Sequence, residues 1–372
     1  MIIGVLKEPP FETRVSLLPE AVTVLIKKGH QLLVEKGAGE AAFATDEHYR
    51  TAGAGVVSRE EVFAADAILS IHPPTDAIEA MRPGSILIGV FQPLYRSVMM
   101  QEWANAGITC FSLDMLPRTT RAQSMDVLSS QANISGYKAV LLAAFTYSRY
   151  FPMFMTAAGS IAPARVLILG AGVAGLQAIA TARRLGAVVE VFDTRPAVKE
   201  EVMSLGAKFV EVEGAADASK AGGYAVEQDD VFKQRQQQRI ADSIAKADIV
   251  ITTAQIPGLP APVLVSAAMI ESMRTGSVII DLAAATGGNT TLTKNDATVL
   301  HQGVTIVGNS NLPATMPSDA SKLYGKNLVS FLQLLTGKEA QLFLNWDDDL
   351  VKGCCILTDK KIIHERVKAM IS

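Results

Sequence analysis

Hydrophobic positions along the chain fall into short β-branched runs, separated by longer stretches in which apolar residues recur at helical spacing. That alternation predicts βαβ units and parallel sheets. In the first third the runs predict strands at Ile2–Leu6, Gln31–Glu35, Ala67–Ile71, Ser85–Val90 and Ile108–Ser112. Helices fall between them, for example Pro19–Lys28, where proline suits the first helical position. A helical pattern from Ala122 to Tyr150 is too long for a crossover helix and reads as a bridge between domains. A second series then predicts strands at Arg165–Leu169, Val189–Phe192, Lys208–Val210, Ile249–Thr252, Val278–Asp281 and Thr305–Val307. A helix at Ser318–Leu335 should return the chain to the first domain, and Cys354–Ile363 reads as a hairpin around Asp359 and Lys360. The expected architecture is α/β, with two doubly wound domains of parallel sheet joined by long helices, and a cleft between them. The expected boundaries are 1–127 with 318–372 for the first domain and 128–317 for the second.

Composition narrows the function classes. Apolar residues make up 49% of the 372-residue chain and charged residues 19%, which excludes a disordered chain. The net charge of −3 is spread over both signs, so no basic stripe marks a nucleic-acid partner. The most apolar region, Ala139–Gly175, is interrupted by Arg149, Pro152, Pro163 and Arg165, so no membrane span is expected and the chain should be soluble. The start lacks a basic segment followed by a long apolar stretch, so no secretory signal is expected. Cys110, Cys354 and Cys355 lack metal-ligand spacing and suggest reduced thiols in a cytosolic compartment; no metal site is expected.

The strongest chemical motif is Gly170-Ala-Gly-Val-Ala-Gly175. A Gly-x-Gly-x-x-Gly run alone is often only a tight turn, but here the apolar strand Val166–Leu169 leads in and the helical run Leu176–Leu185 leads out. A second strand, Val188–Phe192, ends on Asp193, 18 residues after the last glycine. Gly170 makes the turn, Gly172 lets backbone approach a pyrophosphate, and Gly175 permits close helix–strand packing. The helix N-terminus offers N–H groups and a positive dipole end to phosphates. The context predicts a Rossmann dinucleotide site. Asp193 can accept bonds from the adenine-ribose hydroxyls and would repel a 2′-phosphate, which favours NAD(H); Arg195, two residues on, could receive that phosphate and keeps NADP(H) open.

Most dehydrogenases place a His or Lys acid–base group beside the nicotinamide. His30, His48, His301 and His364 lie in polar or charged stretches that read as surface. His72 follows the strand Ala67–Ile71 and precedes Pro73-Pro74, at a carboxyl edge where α/β sites collect ligands, although such a histidine often only caps a turn. The densest polar cluster is Arg118–Asn133. On a continuous helix Gln123, Asp126 and Ser130 follow i, i+3 and i+7 and share one face, with Ser129 beside them. A capped, solvated helix start explains the same cluster, but its place at the head of the domain bridge favours a ligand-facing role.

The segment Arg118–Tyr137, RTTRAQSMDVLSSQANISGY, resembles the signature of the NAD(H)-binding component of proton-translocating nicotinamide nucleotide transhydrogenase, a family related to the alanine dehydrogenases. Further segments match in order: Lys7-Glu8 with Glu12-Thr-Arg14-Val, Met155–Ala187, DTRPAVKEEV from Asp193, Gly222–Ala225, TTAQIPGLPAP from Thr252, Ser277–Asn289 and Leu323–Leu328. The resemblance implies an enzyme of the Si-specific/Re-specific proton-translocating type, active only with partner subunits. Hydride would pass directly between NAD(H) bound here and NADP(H) on a partner subunit, while a membrane-spanning subunit carries the proton. It also implies a homodimer, peripheral on the cytoplasmic membrane face.

Carried over residue by residue, the resemblance places Arg118 and Gln123 at the nicotinamide end, flanked by Thr119, Thr120 and Arg121, with Asp126 and Ser129 holding that region. Gly170, Gly172, Val173 and Gly175 would take the pyrophosphate turn, and Asp193, Thr194 and Arg195 the adenosine. Gly223, Tyr224 and Gln236 fall in Ala221–Arg239, which resembles the family's mobile loop and is rich in Gln and charge. Gln255 departs from the usual apolar residue. No membrane helix follows the last matching segment, which fits either a separate subunit or a truncated longer chain. Two rivals stand beside this reading. Alanine dehydrogenases would place a substrate Lys and a catalytic His where this chain has His72 and Gln92. A regulatory NAD(H)-binding module without redox activity would need only the glycine fingerprint.

Overall fold

The computed structural model describes residues 1–76, 80–82, 84–212 and 230–371. The chain divides into two compact units, Met1–Gln131 with Pro313–Ser372, and Ala132–Leu312.

The first unit is built on β1 (Ile2–Val5), β2 (Gln31–Glu35), β3 (Gly55–Val57), β4 (Ala67–Leu69), β5 (Ile86–Gly89) and β6 (Thr109–Ser112). These six are parallel neighbours in the order β3-β2-β1-β4-β5-β6. The C-terminal hairpin β16 (Cys355–Thr358) and β17 (Lys361–Ile362) adds antiparallel beside β6. Its two-residue turn, Asp359 and Lys360, takes left-handed backbone at both positions, as a tight hairpin requires. Central strands are buried on both faces, which is why β4 and β5 read as unbroken apolar runs. The helix Pro317–Leu332 closes this core with Ala320, Tyr324, Leu328 and Phe331, a helical stripe all facing inward.

The second unit repeats the plan with β9 (Arg165–Leu169), β10 (Val188–Phe192), β11 (Lys208–Phe209), β12 (Ile249–Thr252), β13 (Val278–Asp281), β14 (Thr298–His301) and β15 (Val304–Val307). The order is β11-β10-β9-β12-β13-β15-β14, with only β14 antiparallel. Connections reverse direction between β9 and β12, so the carboxyl edge there is the switch point at which open α/β sheets bind ligands. β7 (Phe154–Thr156) and β8 (Gly159–Ile161) form a separate two-stranded hairpin.

The doubly wound α/β class is as the sequence predicts, but several details are corrected. The pattern at Ala122–Tyr150 is not one helix. A 3-10 segment, Thr120–Met125, ends at Asp126 in extended backbone, and the α-helix runs Val127–Thr146. The face predicted to join Gln123, Asp126 and Ser130 therefore does not exist. The break comes from Asp126 itself, whose carboxylate caps the helix by accepting the Ser129 N–H at 2.9 Å and the Ser129 hydroxyl at 2.6 Å. β3 and β14, short and at sheet edges, carry too few apolar residues to show as strands in the sequence. Of the stretch predicted as a loop, Asp230–Arg239 is helical, in Asp230–Ile244, so Gln236 sits on a helix; Ile240 and Ile244 bury one of its faces.

The helix Val127–Thr146 crosses the helix Val173–Arg184 at Gly136, where an added Cβ would overlap the backbone of Ala174. We predict that Gly136→Ala costs about 1–3 kcal/mol by overpacking and lowers the melting temperature by several degrees, measured by calorimetry. An unchanged transition would contradict this packing.

Candidate nucleotide site

In the second unit the strand β9 ends at Gly170, whose φ of +107° is closed to most side chains. Gly172 is the N-cap of the helix Val173–Arg184, and no side chain caps it. A Cβ at Gly172 would meet nothing within 4 Å, so the face before the helix is open. At Gly175 a Cβ would overlap the Gly170 carbonyl oxygen, so only glycine lets the helix start this close to the turn. Uncapped N–H groups at a helix start, with a positive dipole end and open space before them, suit a pyrophosphate. Val173 is exposed beside them.

Asp193 at the end of β10 is tied to this turn. Its carboxylate accepts the Ala171 N–H at 2.7 Å and the Arg195 N–H at 2.8 Å. It also pairs with the Arg195 guanidinium at 2.9 and 2.7 Å. One carboxylate thus ties the glycine turn to the end of β10 and to Arg195. Thr194 is half-buried between the paired residues. Gln255, on the loop after β12, is exposed and donates to the Leu282 carbonyl at 2.9 Å. Gly170, Gly172, Asp193, Thr194, Arg195 and Gln255 belong to the carboxyl-edge loops of one sheet, and Val173 and Gly175 to the first turn of the helix that follows β9. Gln236 is half-buried on its helix, and Gly223 and Tyr224 lie outside the described residues.

The Arg118–Ser129 segment is organised within the first unit. Ala122 and Met125, three residues apart in the 3-10 turn, are buried and anchor it. The Asn327 amide donates to the Ser124 carbonyl at 2.8 Å. Arg118, Thr119, Thr120, Arg121 and Gln123 are left exposed. The Arg121 guanidinium is engaged by Asp348, one bond at 2.9 Å, and by Asp349. Arg121 therefore ties the segment to the helix Asp349–Cys354.

A buried ionic cluster at the carboxyl ends of β1 and β4 was not apparent from spacing. The Arg14 guanidinium donates two bonds to Glu12, at 2.8 and 2.7 Å, and a third to Gln131 at 2.8 Å. His72 Nε2 meets Glu12 Oε2, the oxygen that also accepts from Arg14 Nη2, at 2.7 Å. Burial alone would raise the Glu12 carboxyl, but the hydrogen bonds from Arg14 and His72 outweigh it and hold it well below the usual range. Glu8 accepts the Ile71 and His72 N–H groups at 2.6 and 3.0 Å. Burial nevertheless pushes its carboxyl up to about 7. His72 thus belongs to an internal network, and Gln92 is exposed in left-handed backbone. In the sequence these residues stood out separately, Lys7-Glu8 and Glu12-Thr-Arg14-Val as segments resembling the family and His72 as a residue at a strand end.

Comparison with known proteins decides the family. Residues 4–135 match the family described as Alanine dehydrogenase/PNT, N-terminal domain, and residues 139–365 match Alanine dehydrogenase/PNT, C-terminal domain. The chain belongs to the alanine dehydrogenase/PNT family. It is 43% identical to the first part of the NAD(P) transhydrogenase alpha subunit of Rhodospirillum rubrum, over 98% of each chain. The crystal structure of transhydrogenase from Sinorhizobium meliloti superposes with a TM-score of 0.89 at 44% identity, covering 97% of this chain and all of that one. Alanine dehydrogenase of Staphylococcus saprophyticus is 28% identical over 91% of this chain and 88% of its own. The expected kinship with transhydrogenases, and more distantly with alanine dehydrogenases, therefore holds. Among the described residues no helix is long and apolar enough to cross a membrane.

The Glu8 carboxyl generates a pH prediction. Its folded pKa, about 7, lies above the ordinary 4.5. The native state therefore keeps a proton that the unfolded chain has lost, and stability falls as pH rises from 4.5 to 7. Denaturation of the wild type and Glu8→Gln across that range should show a wild-type excess that shrinks by up to about 3 kcal/mol. A pH-independent difference would contradict the buried, protonated carboxyl.

Proposed function

We propose that this chain is the NAD(H)-binding subunit of a proton-translocating NAD(P)⁺ transhydrogenase of the Si-specific/Re-specific type. It presents NADH or NAD⁺ for direct hydride exchange with NADP(H) on a partner subunit, and a membrane-spanning subunit couples the exchange to proton movement. The observation that carries this reading is the strand–glycine turn–helix with Asp193 in a chain 43% identical, over 98% of each, to the first part of a transhydrogenase alpha subunit.

When bound, NADH supplies the hydride, so the protein's work is positioning and water exclusion. Gly170, Gly172, Val173 and Gly175 offer the pyrophosphate backbone N–H groups and a close approach. Asp193, Thr194 and Arg195 hold the adenosine ribose. The carboxylate charge of Asp193 favours NAD(H), and the paired Arg195 softens the repulsion of a 2′-phosphate. Gln123 and Arg118 contact the nicotinamide end, with Thr119, Thr120 and Arg121 beside them; Asp126, by capping Ser129, holds that segment in shape. Gly223, Tyr224, Gln236 and Gln255 complete the nucleotide contacts. Because hydride passes from ring to ring, the transfer step needs no acid or base. The subunit works as a homodimer, cytoplasmic and peripheral through its partners. Support for the dimer comes from the β7–β8 hairpin, where Met153, Phe154, Met155 and Ile161 are exposed together.

The test mixes the purified chain with an NADP(H)-binding transhydrogenase component and follows oxidation of an NADH analogue with a distinct absorbance. Rapid transfer is expected only in the mixture, and Gln123→Ala should slow it at least about tenfold, a loss of roughly 1.4 kcal/mol of transition-state positioning. Tight NADH binding without any transfer would sink the transhydrogenase reading and favour a regulatory NAD(H) module. Turnover with a 2-oxo acid and ammonia would favour an amino-acid dehydrogenase.

A further inference from the structure

The side chain of Asn289 is completely buried, yet its polar atoms bond neither to a helix nor to a strand. Its Oδ1 accepts the Ala254 N–H at 3.0 Å, and its Nδ2 donates to the carbonyls of Ala254 and Pro262, both at 2.8 Å. Its backbone carbonyl accepts the N–H groups of Leu264 and Val265, at 2.8 and 3.0 Å. One residue thus grips both ends of the loop between β12 and the helix Ala267–Glu271. Burying a primary amide costs free energy unless all its hydrogen bonds are made, and here they are spent on loop backbone.

Asn289 is itself fixed from below. Its N–H donates to Asp281 Oδ2 at 2.7 Å, and the same oxygen accepts the Thr293 hydroxyl at 2.6 Å. Gly288 precedes it at φ +85°, where a Cβ would stand 2.6 Å from Thr293 Cβ and 2.9 Å from Asp281 Oδ2. On its other side the loop reaches the nucleotide turn, with Thr253 Oγ1 donating to the Gly170 carbonyl at 3.2 Å.

Position in the sheet says which half of a dinucleotide this loop faces. A doubly wound sheet holds one mononucleotide on each side of its switch point. Gly170–Gly175 and Asp193 serve the β9–β10 side, so the loop after β12 lies on the side left for the nicotinamide nucleotide. We propose that Asn289 is a positioning residue that holds the Ala254–Pro262 loop as the nicotinamide-side wall of the NAD(H) site. The inference rests on the nucleotide-site reading above and names a residue that touches no nucleotide.

The test is equilibrium binding of NADH and of 5′-AMP to the full chain, well below the melting temperature of each variant. Asn289→Ala should weaken NADH at least tenfold while 5′-AMP, which occupies only the β9–β10 side, changes less than twofold. Asn289→Asp keeps the acceptor for the Ala254 N–H but turns a second oxygen onto the carbonyls of Ala254 and Pro262, and should weaken NADH at least as much as alanine does. Val304→Ala opens the core at the amino end of β15, the opposite edge of the sheet from the loop; it should lower the melting temperature and leave both affinities intact. Parallel loss of NADH and 5′-AMP, or no loss of either, would overturn the proposal. Should Asn289→Ala fail to fold, hydrogen exchange of the nucleotide-free wild type decides. The Ala254 amide should be protected like those of β12, and rapid exchange there contradicts the clamp. A wild type that binds neither ligand would overturn the nucleotide-site reading instead.

Discussion

The first turn of the helix Val173–Arg184 is gripped by backbone on both sides. Gly175 rests against the carbonyl of Gly170, and Ala174 against Gly136 of the helix Val127–Thr146, each so closely that a single Cβ would collide. Other features of the site depend on these two approaches. They set the helix start directly over the end of β9, and they aim its uncapped N–H groups at the open space before Gly172. A phosphate site made of backbone dipoles has to be positioned by packing, because it has no side chain to adjust.

Around that turn, charge is placed by hydrogen bonding. Asp193 is held by the Ala171 N–H and by Arg195, so the glycine turn is joined to the end of β10. The loop after β12 is locked to the same turn through Thr253 and to the loop after β13 through Asn289. Four carboxyl-edge loops, those after β9, β10, β12 and β13, are thus joined by a few side chains. The buried charges of the first unit follow a different logic. There Glu12 is stabilised as an anion by Arg14 and His72, while Glu8, in the same cluster, holds its proton toward neutral pH.

Much of this was legible in the sequence, for identifiable reasons. Central parallel strands must be apolar on both faces, so β4, β5, β12 and β13 showed as continuous runs. The glycine fingerprint was readable because Gly170 needs its left-handed backbone and Gly175 its close approach to Gly170, while Gly172 leaves the face before the helix open. The helix at Val127 was overextended because Ala122, Met125, Leu128 and Ala132 keep helical spacing across Asp126, and the periodicity gave no sign of the cap there. β3 and β14 escaped because a short edge strand needs little apolar surface. Asn289 stands out in the sequence only as the end of a matching segment. Its partners are backbone groups some thirty residues away, and nothing in a sequence marks a backbone acceptor. The Glu8–Glu12–Arg14–His72 cluster was hidden because burial of a charge is a tertiary fact.

On the proposed reading, the protein places a dinucleotide for transfer to another nucleotide and supplies no proton chemistry at that step. The most direct test uses NADH deuterated at the transferable position, mixed with this chain, an NADP(H)-binding transhydrogenase component and NADP⁺ in ordinary water. Mass spectrometry of the NADPH formed should show the deuterium retained in full. Loss of label to solvent would mean that hydrogen passes through an exchangeable group on the protein, and would contradict direct ring-to-ring transfer.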